Sequence, residues 1–153
     1  RAARAGVTNI HAIALSGAHD TRAKRLAGKL ERVLVDAPCS GFGTLRRNPD
    51  LKWRHGPQAV EELRRKQAEI LEAAARLVKP GGRLVYATCS ILPEENEEVA
   101  DAFLARHVEF ASVSCAELLH AQRIPLSAES RLRLWPHLHA TDGFFAAVFE
   151  RRT

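Results

Sequence analysis

Two short runs of apolar residues give the chain its most regular pattern, and both have the length and β-branched content of buried strands. The first covers residues 33–38 and the second residues 83–88, and each is followed by small or turn-forming residues. Nearly uninterrupted apolar runs are typical of parallel strands that are covered on both faces. We therefore predict two strands here, and we expect the strand at 33–38 to be central in its sheet rather than at an edge.

A helical pattern separates these two strands. From about residue 57 to residue 78, apolar side chains recur every three or four positions, and charged side chains occupy the remaining faces. The spacing predicts an amphipathic helix of about six turns. Residues 79–82, with the sequence Lys-Pro-Gly-Gly, would end this helix just before the second strand. The segment is thus the helix-to-strand half of a crossover unit.

Weaker patterns predict the remaining elements. We predict the end of a helix at residues 1–6 and a helix with acidic residues in its first turn at 93–107. We predict three more strands at residues 9–15, 110–114 and 144–150. Helices and strands alternate, so the pattern indicates an α/β fold, and 153 residues suit one domain.

Composition and charge narrow the possible partners. The formal net charge is +5, and a basic surface raises the local concentration of nucleic acid, so the charge favours a polyanionic partner. Charge alone does not decide this, because many basic proteins bind no nucleic acid. No run of roughly 18 apolar residues is present, so we expect neither a membrane span nor a secretory leader.

The cysteine content points to a reducing compartment, with the cytoplasm as the expected location. The chain has three cysteines and none lies in a Cys-x-x-Cys pair, which argues against a disulfide framework and a structural zinc site. His137 and His139 alternate and could lie on one side of a strand. No further ligand is nearby, so we predict no metal. The chain contains no methionine, and we therefore expect it to be a piece of a longer protein.

Candidate chemistry lies where the two apolar strands pass into loops. Cys39 follows the first strand and Cys89 the second, and the carboxyl ends of strands are where α/β sheets carry their ligand sites. Asp36 is an acid at the end of an otherwise apolar strand. From the residues alone, each cysteine can also be a small buried side chain, and Asp36 can be a loop cap. Cys115 lies in no such setting, and we expect it to be structural.

The loop after Cys39 combines positive charge with an aromatic ring. Arg46, Arg47 and Lys52 can hold phosphates, and Trp53 can stack on a base. His55 is a further candidate for a phosphate contact. The alternative is a solvated basic loop whose Trp53 packs into the core.

Two motifs and a closing segment contain most of these candidates. The first motif reads Asp36-Ala37-Pro38-Cys39-Ser40-Gly41 and continues through Gly43 and Arg46-Arg47 to Lys52-Trp53. The second reads Ala87-Thr88-Cys89-Ser90 and continues through Pro93 and Glu95-Asn96-Glu97 to Val99, and the closing segment runs from Arg131 to Phe145. Together they resemble the RNA 5-methylcytosine methyltransferases of the NOP2/Sun/RsmB family, and they are most similar to its bacterial branch that acts on small-subunit ribosomal RNA.

The resemblance implies a Rossmann-like class I methyltransferase fold, S-adenosylmethionine as cofactor, and RNA as partner, with 16S ribosomal RNA as the expected substrate. The glycine-rich cofactor loop of that family would lie before residue 1. Residues 1–153 would then be an N-terminally truncated, C-terminal portion of a single catalytic domain. By position, Asp20 corresponds to the family's acid that contacts adenine, and Asp36 would lie beside both the cofactor and the target base.

The resemblance also implies roles for the two cysteines. Carbon 5 of cytosine is too weak a nucleophile to take a methyl group from a sulfonium ion, but addition of a thiolate at carbon 6 produces an enamine that can do so. The family's nucleophile is the cysteine of its Thr-Cys-Ser motif, which is Cys89 here. Cys39 would assist release of the methylated product, and Asp36 would bond the nitrogen side of the ring.

Three alternatives stay open at this point. A protein with this fold could bind RNA without catalysis, or it could methylate transfer RNA rather than ribosomal RNA. It could also methylate a small molecule or an amino group. The last class would not need a thiolate and would usually carry Asn or Asp followed by Pro-Pro and an aromatic residue, a pattern that this sequence lacks.

Overall fold

The computed structural model describes residues 3–18, 20–54 and 56–153. The strands are β1 (Leu30–Asp36), β2 (Val78–Thr88), β3 (Phe110–Val113), β4 (Leu132–Leu134) and β5 (Phe144–Arg151). Strand β2 lies between β1 and β5, and β5 also pairs with β3 and β4. The β1–β2 pair is parallel, and every pair that involves β5 is antiparallel. The helices are α1 (Thr21–Lys24), α2 (Leu51–Arg54), α3 (Pro57–Ala75), α4 (Glu97–Arg106), α5 (Cys115–Ala121) and α6 (Pro136–His139), with 3-10 turns at Ala3–Ala5, Phe42–Thr44 and Pro93–Glu95.

The long amphipathic helix is confirmed as α3. Proline at its first turn has no N–H to leave unpaired, which suits the start of a helix. Its buried face consists of Gln67, Leu71, Ala74 and Ala75. The helix ends before residue 78 because Val78 already pairs with Leu30 in the sheet.

Strand β2 begins earlier than the sequence predicts and contains the Lys-Pro-Gly-Gly segment. The register with β1 shifts between Leu30 and Arg32, and this irregularity accommodates the extra residues. A Cβ atom at Gly82 would lie 2.8 Å from the Lys79 carbonyl oxygen and 3.0 Å from that of Leu30. Only glycine fits this close approach. The segment that was expected to stop the helix thus forms the irregularity of β2 between the pairs Leu30–Val78 and Arg32–Arg83.

The predicted central position of the first apolar strand is wrong for the described sheet. Strand β1 pairs with β2 alone among the described residues, and it therefore lies at an edge. Leu34 is 67% exposed on it, whereas Val35 faces the core. Residues 9–15, predicted as a strand, form none, and their apolar side chains are exposed. An apolar run indicates that the side chains of a segment can be buried. A central position also requires a paired strand on each side, and in the described part of the chain β1 has a neighbour only on the β2 side.

The hydrophobic core lies where α3 and α4 pack on the sheet. Phe103 of α4 packs against Phe149 of β5 and Phe110 of β3, with ring centroids 4.9 Å and 5.3 Å away. Tyr86 of β2 meets Phe145 of β5 edge-to-face at 6.4 Å. Burial of one such side chain stabilises the fold by about 1.5–3 kcal/mol. This core fixes the carboxyl end of β2, which leads directly to Cys89.

The shorter predictions have mixed outcomes. The strands at 110–114 and 144–150 are confirmed as β3 and β5, and the acidic helix is confirmed as a 3-10 turn followed by α4. Ala3–Ala5 form a 3-10 turn before Gly6, which has a φ of +69°, while residues 1 and 2 lie outside the described part. His137 and His139 lie in α6 rather than on a strand, so that expectation is wrong. Of the helices that the structure describes, none combines the length and the apolar content that a membrane crossing requires.

Candidate active site

The two cysteines of the sequence motifs meet at one end of the sheet. Because β1 and β2 are parallel neighbours, their carboxyl ends lie side by side, with Asp36 opposite Ala87. The backbone N–H of Ala37 donates to the Ala87 carbonyl at 2.9 Å and continues the pairing into the loops. The Sγ atoms of Cys39 and Cys89 are 3.4 Å apart, and both side chains are partly buried.

The environments of the two thiols shift their acidity in opposite directions. A hydrogen bond from the Cys39 thiol lowers the pKa of Cys89 to about 7, although burial and the charges of Asp36 and Glu95 oppose this. The same hydrogen bond, burial and the charge of Cys89 raise the pKa of Cys39 far above its ordinary value. Cys89 is therefore the thiol that ionises first, in the neutral pH range, while Cys39 keeps its proton.

Asp36 ends β1 with an exposed side chain. Its carboxyl group accepts no hydrogen bond from the residues that the structure describes, so both of its oxygens are available to a ligand. Its charge acts on Cys89, which places it beside the thiol pair.

A buried carboxylate behind the cysteines was missed by the sequence analysis. Glu95 has no exposed surface, and its carboxylate accepts four hydrogen bonds. The donors are the backbone N–H of Ser40 (2.8 Å), the hydroxyls of Ser40 and Ser90 (2.5 Å each) and the amide of Gln67 (3.0 Å). The repeated Cys-Ser pairs in the two motifs were the available signal, because serine can donate to a carboxylate.

Close backbone contacts hold the loop after Cys39 against the loop after β2. The N–H of Gly43 donates to the Cys89 carbonyl at 2.8 Å, and the N–H of Gly143 donates to the Gly43 carbonyl at 2.7 Å. A Cβ atom at Gly43 would lie 2.6 Å from the Cys89 carbonyl oxygen, which is closer than real contacts allow. Gly41 has a φ of +74°, which glycine adopts without strain. Both positions therefore require glycine, Gly43 for the close approach and Gly41 for its positive φ.

The arginines of the basic loop contact the segment before β5. Arg46 donates to the carbonyls of Ala140 (3.3 Å) and Thr141 (3.5 Å). Arg47 forms an ion pair with Asp142 and keeps most of its side chain exposed. Both guanidinium groups therefore help to hold the loop in place as well as adding positive charge to this surface.

Lys52 and Trp53 lie in the short helix α2, which follows this loop, and both are exposed. The ammonium group of Lys52 lies 5.0 Å from the centroid of the Trp53 ring, within range of a cation–π contact. Trp53 is 82% exposed, so the alternative that packs it into the core is wrong. His55, the other candidate for a phosphate contact, lies outside the described residues.

Asp20 is engaged by local contacts. Its carboxylate caps the start of α1 and accepts hydrogen bonds from the backbone N–H and side-chain hydroxyl of Ser16 and from the backbone and side chain of Arg22. The Arg22 guanidinium holds the pKa of Asp20 well below its usual range. Both oxygens of Asp20 thus have partners, in contrast to Asp36.

A cavity of about 500 Å³ lies beside the carboxyl end of β1. Its walls are mostly apolar and include Leu15, Val35 and Ile70, and Asp36 lies on its lining. The volume is within the usual range for small-molecule sites. Two carboxylates, of Asp36 and Glu69, and the ammonium group of Lys66 also line it. Mostly apolar walls with these charged groups suit an organic ligand that carries both a ring and a charge.

Comparison with known proteins gives consistent matches over most of the chain. The family model described as "16S rRNA methyltransferase RsmB/F" matches residues 2–150. The "Probable ribosomal RNA small subunit methyltransferase B" of Bacillus subtilis is 40% identical over 156 residues, which cover 97% of this chain and 33% of that protein. The "Ribosomal RNA small subunit methyltransferase B" of Klebsiella pneumoniae is 47% identical over 124 residues, which cover 81% of this chain and 27% of that protein.

The structural comparison agrees. The crystal structure of NSun6 from Pyrococcus horikoshii with SFG superposes with a TM-score of 0.74 at 26% sequence identity, and the match covers 99% of this chain and 37% of that one. The chain spans a third or less of the length of the Bacillus and Klebsiella relatives. This structural match shows that the α/β fold of the chain is the Rossmann-like fold of these methyltransferases.

Proposed function

The chain belongs to the RsmB/F family of 16S rRNA methyltransferases, and we propose that it forms the catalytic part of an RNA cytosine-C5 methyltransferase that acts on 16S ribosomal RNA. The observation that carries this proposal is the facing thiol pair, with Sγ atoms 3.4 Å apart. Methylation of cytosine at carbon 5 needs a thiolate nucleophile and a second group that allows the enzyme to leave. A low-pKa Cys89 beside a protonated Cys39 supplies both.

The proposed reaction begins when the Cys89 thiolate adds to carbon 6 of the target cytosine. The carbon–sulfur bond that forms leaves an enamine with a nucleophilic carbon 5, while Asp36 bonds the nitrogen side of the ring. Bound S-adenosylmethionine would supply a methyl group on a positively charged sulfur, which carbon 5 accepts. Loss of the proton from carbon 5 then allows the carbon–sulfur bond to break, which restores the aromatic ring and the Cys89 thiolate.

The pairing of the thiols supports the assignment of Cys39 to product release. While Cys89 is a thiolate, its charge and the shared hydrogen bond keep the pKa of Cys39 high. When Cys89 is bonded to carbon 6, that charge and that acceptor are lost, so the pKa of Cys39 falls toward its ordinary value. Cys39 can then release its proton to solvent, and the resulting thiolate can accept the proton from carbon 5 at the step that needs a base.

The cofactor assignment is supported by the cavity beside Asp36. Its apolar lining fits an adenosine ring system, and the free carboxylate of Asp36 fits a cationic group. The proposed adenine contact of Asp20 stays a prediction. It would require Asp20 to exchange hydrogen bonds that Ser16 and Arg22 now provide.

The RNA substrate is supported by the basic loop and by the family. Lys52 and exposed Trp53 offer charge and a stacking surface, and Arg46 and Arg47 add positive charge at the base of the loop. The names of the Bacillus and Klebsiella relatives favour ribosomal over transfer RNA. We also propose that residues 1–153 are the C-terminal portion of a single catalytic domain, working in the reducing cytoplasm that suits three free cysteines.

The test uses the full-length protein with S-adenosylmethionine and 16S ribosomal RNA. The Cys39→Ala variant should accumulate a protein–RNA adduct on a denaturing gel, because the release step is blocked. The Cys39→Ala/Cys89→Ala double variant should form no adduct. If neither variant forms an adduct while RNA binding persists, the protein is a binding module with this fold and the proposed activity is excluded.

A further inference from the structure

We propose that Glu95 is the positioning residue of the cysteine pair: its buried carboxylate joins the loop after Cys39 to the loop after Cys89 and so holds the two thiols face to face. Nothing in the family comparison assigns this residue a role. The effect of Glu95 on catalysis rests on the proposed function. Its effect on the alignment of the two thiols does not.

The carboxylate binds both loops in the same way. Each cysteine is followed by a serine, and the hydroxyls of Ser40 and Ser90 both donate to Oε2 of Glu95 at 2.5 Å. The two hydroxyl oxygens are themselves 3.3 Å apart. The serine pair thus mirrors the cysteine pair one residue further along each loop. A single acceptor oxygen fixes the spacing of the serines, and through the chain it fixes the spacing of the thiols.

Glu95 is in turn held by the scaffold. Its Oε1 accepts from the backbone N–H of Ser40 and from the side-chain amide of Gln67, which also donates to the Pro38 carbonyl at 2.9 Å. Its backbone carbonyl accepts from the Tyr86 hydroxyl at 2.5 Å. Helix α3 and strand β2 therefore both anchor the group that joins the loops, and the rigidity of the core extends to the site.

The complete burial of the Glu95 carboxylate is not explained by protein stability alone. A charged side chain without exposed surface is costly unless every lone pair is used, and an apolar residue could fill the same volume more favourably. Glu95 does not contact either thiol through a hydrogen bond, so it is not a catalytic residue. Its hydrogen bonds instead act on the residues that carry the thiols.

Glu95 acts on the pKa of Cys89 in two opposite ways, directly through its charge and indirectly through the alignment of the thiols. This opposition makes the proposal testable. The groups that act on the Cys89 thiol are Cys39, Asp36, Glu95 and its own backbone N–H. The negative charge of Glu95 raises the pKa of Cys89, so loss of that charge alone would lower it. The hydrogen bond from Cys39 lowers the pKa, so loss of the thiol alignment would raise it. The positioning role predicts that the second effect dominates.

The experiment measures the pH dependence of Cys89 alkylation by iodoacetamide in the full chain, with the modified cysteine identified by peptide mass spectrometry. Neither cofactor nor RNA is needed. In the wild type, the rate should rise with a midpoint near pH 7. In Glu95→Gln the midpoint should move up toward about 8.5, the ordinary value for cysteine. The midpoint is the readout because a thiolate of higher pKa is also intrinsically more reactive.

Matched variants separate positioning from charge and from folding. Glu94→Gln removes an exposed neighbouring charge and should leave the midpoint unchanged. Ser40→Ala/Ser90→Ala keeps the Glu95 charge and should also raise the midpoint, and this variant carries the test if Glu95→Gln does not fold by circular dichroism. In the Cys39→Ala background, Glu95→Gln should produce no further rise, because the donor that it positions is gone.

A midpoint that falls or stays constant in folded Glu95→Gln would overturn the proposal, and so would a further rise in the Cys39→Ala background. The outcomes are distinguishable from those of the proposed function. If the midpoint rises as expected but the wild-type protein forms no RNA adduct, the positioning role stands and the methyltransferase activity fails.

Discussion

The thiol of Cys39 lies within hydrogen-bond distance of the thiol of Cys89, at the ends of two parallel strands that are adjacent in the sheet. Two thiols at this distance do not ionise together, because each anion would repel the other. One carries the charge and the other keeps its proton. Cys89, whose pKa is lowered to about 7, is the thiol of the pair that ionises first. The same arrangement therefore creates a nucleophile and stores a proton next to it.

We expect the first turnover of methyl transfer in the full-length protein to depend on pH through Cys89. The thiolate is the reactive form and its pKa is lowered to about 7, so the rate should be high above pH 7 and fall about tenfold per pH unit well below it. Rapid-quench measurement of methylated RNA across pH 5.5–9, the range around that pKa, tests this. In Cys115→Ala the midpoint should not move, because Cys115 lies elsewhere. A rate independent of pH in this range would contradict a thiolate mechanism.

Replacement of Gly43 by alanine should destabilise the protein and disrupt the site. The added Cβ would lie 2.6 Å from the Cys89 carbonyl oxygen, so the backbone must shift at the loop that carries the nucleophile. Strain of this kind typically costs about 1–3 kcal/mol in the free energy of unfolding, measurable by urea denaturation. Gly17→Ala is the control, because nothing lies within 4 Å of its added Cβ. Equal stability of the two variants would show that the Gly43 contact is not tight.

The part of the site that could be predicted from the sequence is the part that lies next to recognisable strands. Cys39 and Cys89 each follow an apolar run, and parallel neighbours place such ends together. The position of β1 at the edge of the described sheet could not be predicted, because an apolar run does not specify which strands will pair with it. The exposure of Leu34 could not be predicted either, because Leu34 and Val35 are equally apolar and point to opposite faces of the sheet, and only the Val35 face packs in the core.

Glu95 could not be identified in the same way. It lies within an acidic run that suits the exposed first turn of a helix, and the helix does follow. Its burial results from contacts with Ser40 and Gln67, which are 55 and 28 residues away in the chain. Local sequence carries no information about such distant partners. The exposure of Trp53 likewise depends on the conformation of the preceding loop, which the local sequence does not show.

We expect Lys52→Ala to weaken RNA binding in a way that depends on salt. Loss of one phosphate contact should reduce the slope of log K against log salt concentration by about 0.7–0.9, measured by fluorescence anisotropy with an rRNA fragment. Lys79→Ala is the matched control, because Lys79 pairs with Glu31 at the opposite end of β1. An unchanged slope in Lys52→Ala would remove that residue from the RNA interface. Trp53→Ala should weaken binding by about 1–3 kcal/mol, with little change in slope.

Mild oxidation should join Cys39 to Cys89 and stop the reaction. The Cys89 thiolate can attack hydrogen peroxide to give a sulfenic acid and hydroxide, and the Cys39 thiol can then displace water from the sulfenic acid to form the disulfide. The thiols are 3.4 Å apart and need only a small movement to reach the bond length of about 2.05 Å. Cys115 should stay reduced, because it is buried and burial raises its pKa.

Peptide mass spectrometry after peroxide treatment should therefore find the Cys39 and Cys89 peptides linked, with two hydrogens lost and with reversal by dithiothreitol. Because the thiolate that attacks the peroxide is the one proposed to attack cytosine, activity and free thiol should disappear in parallel. Cys39→Ala lacks the resolving thiol, so its Cys89 should proceed to the irreversible sulfinic acid. Stable single thiols in the oxidised wild type would show that the two loops hold the sulfurs too rigidly, or too far apart, to react.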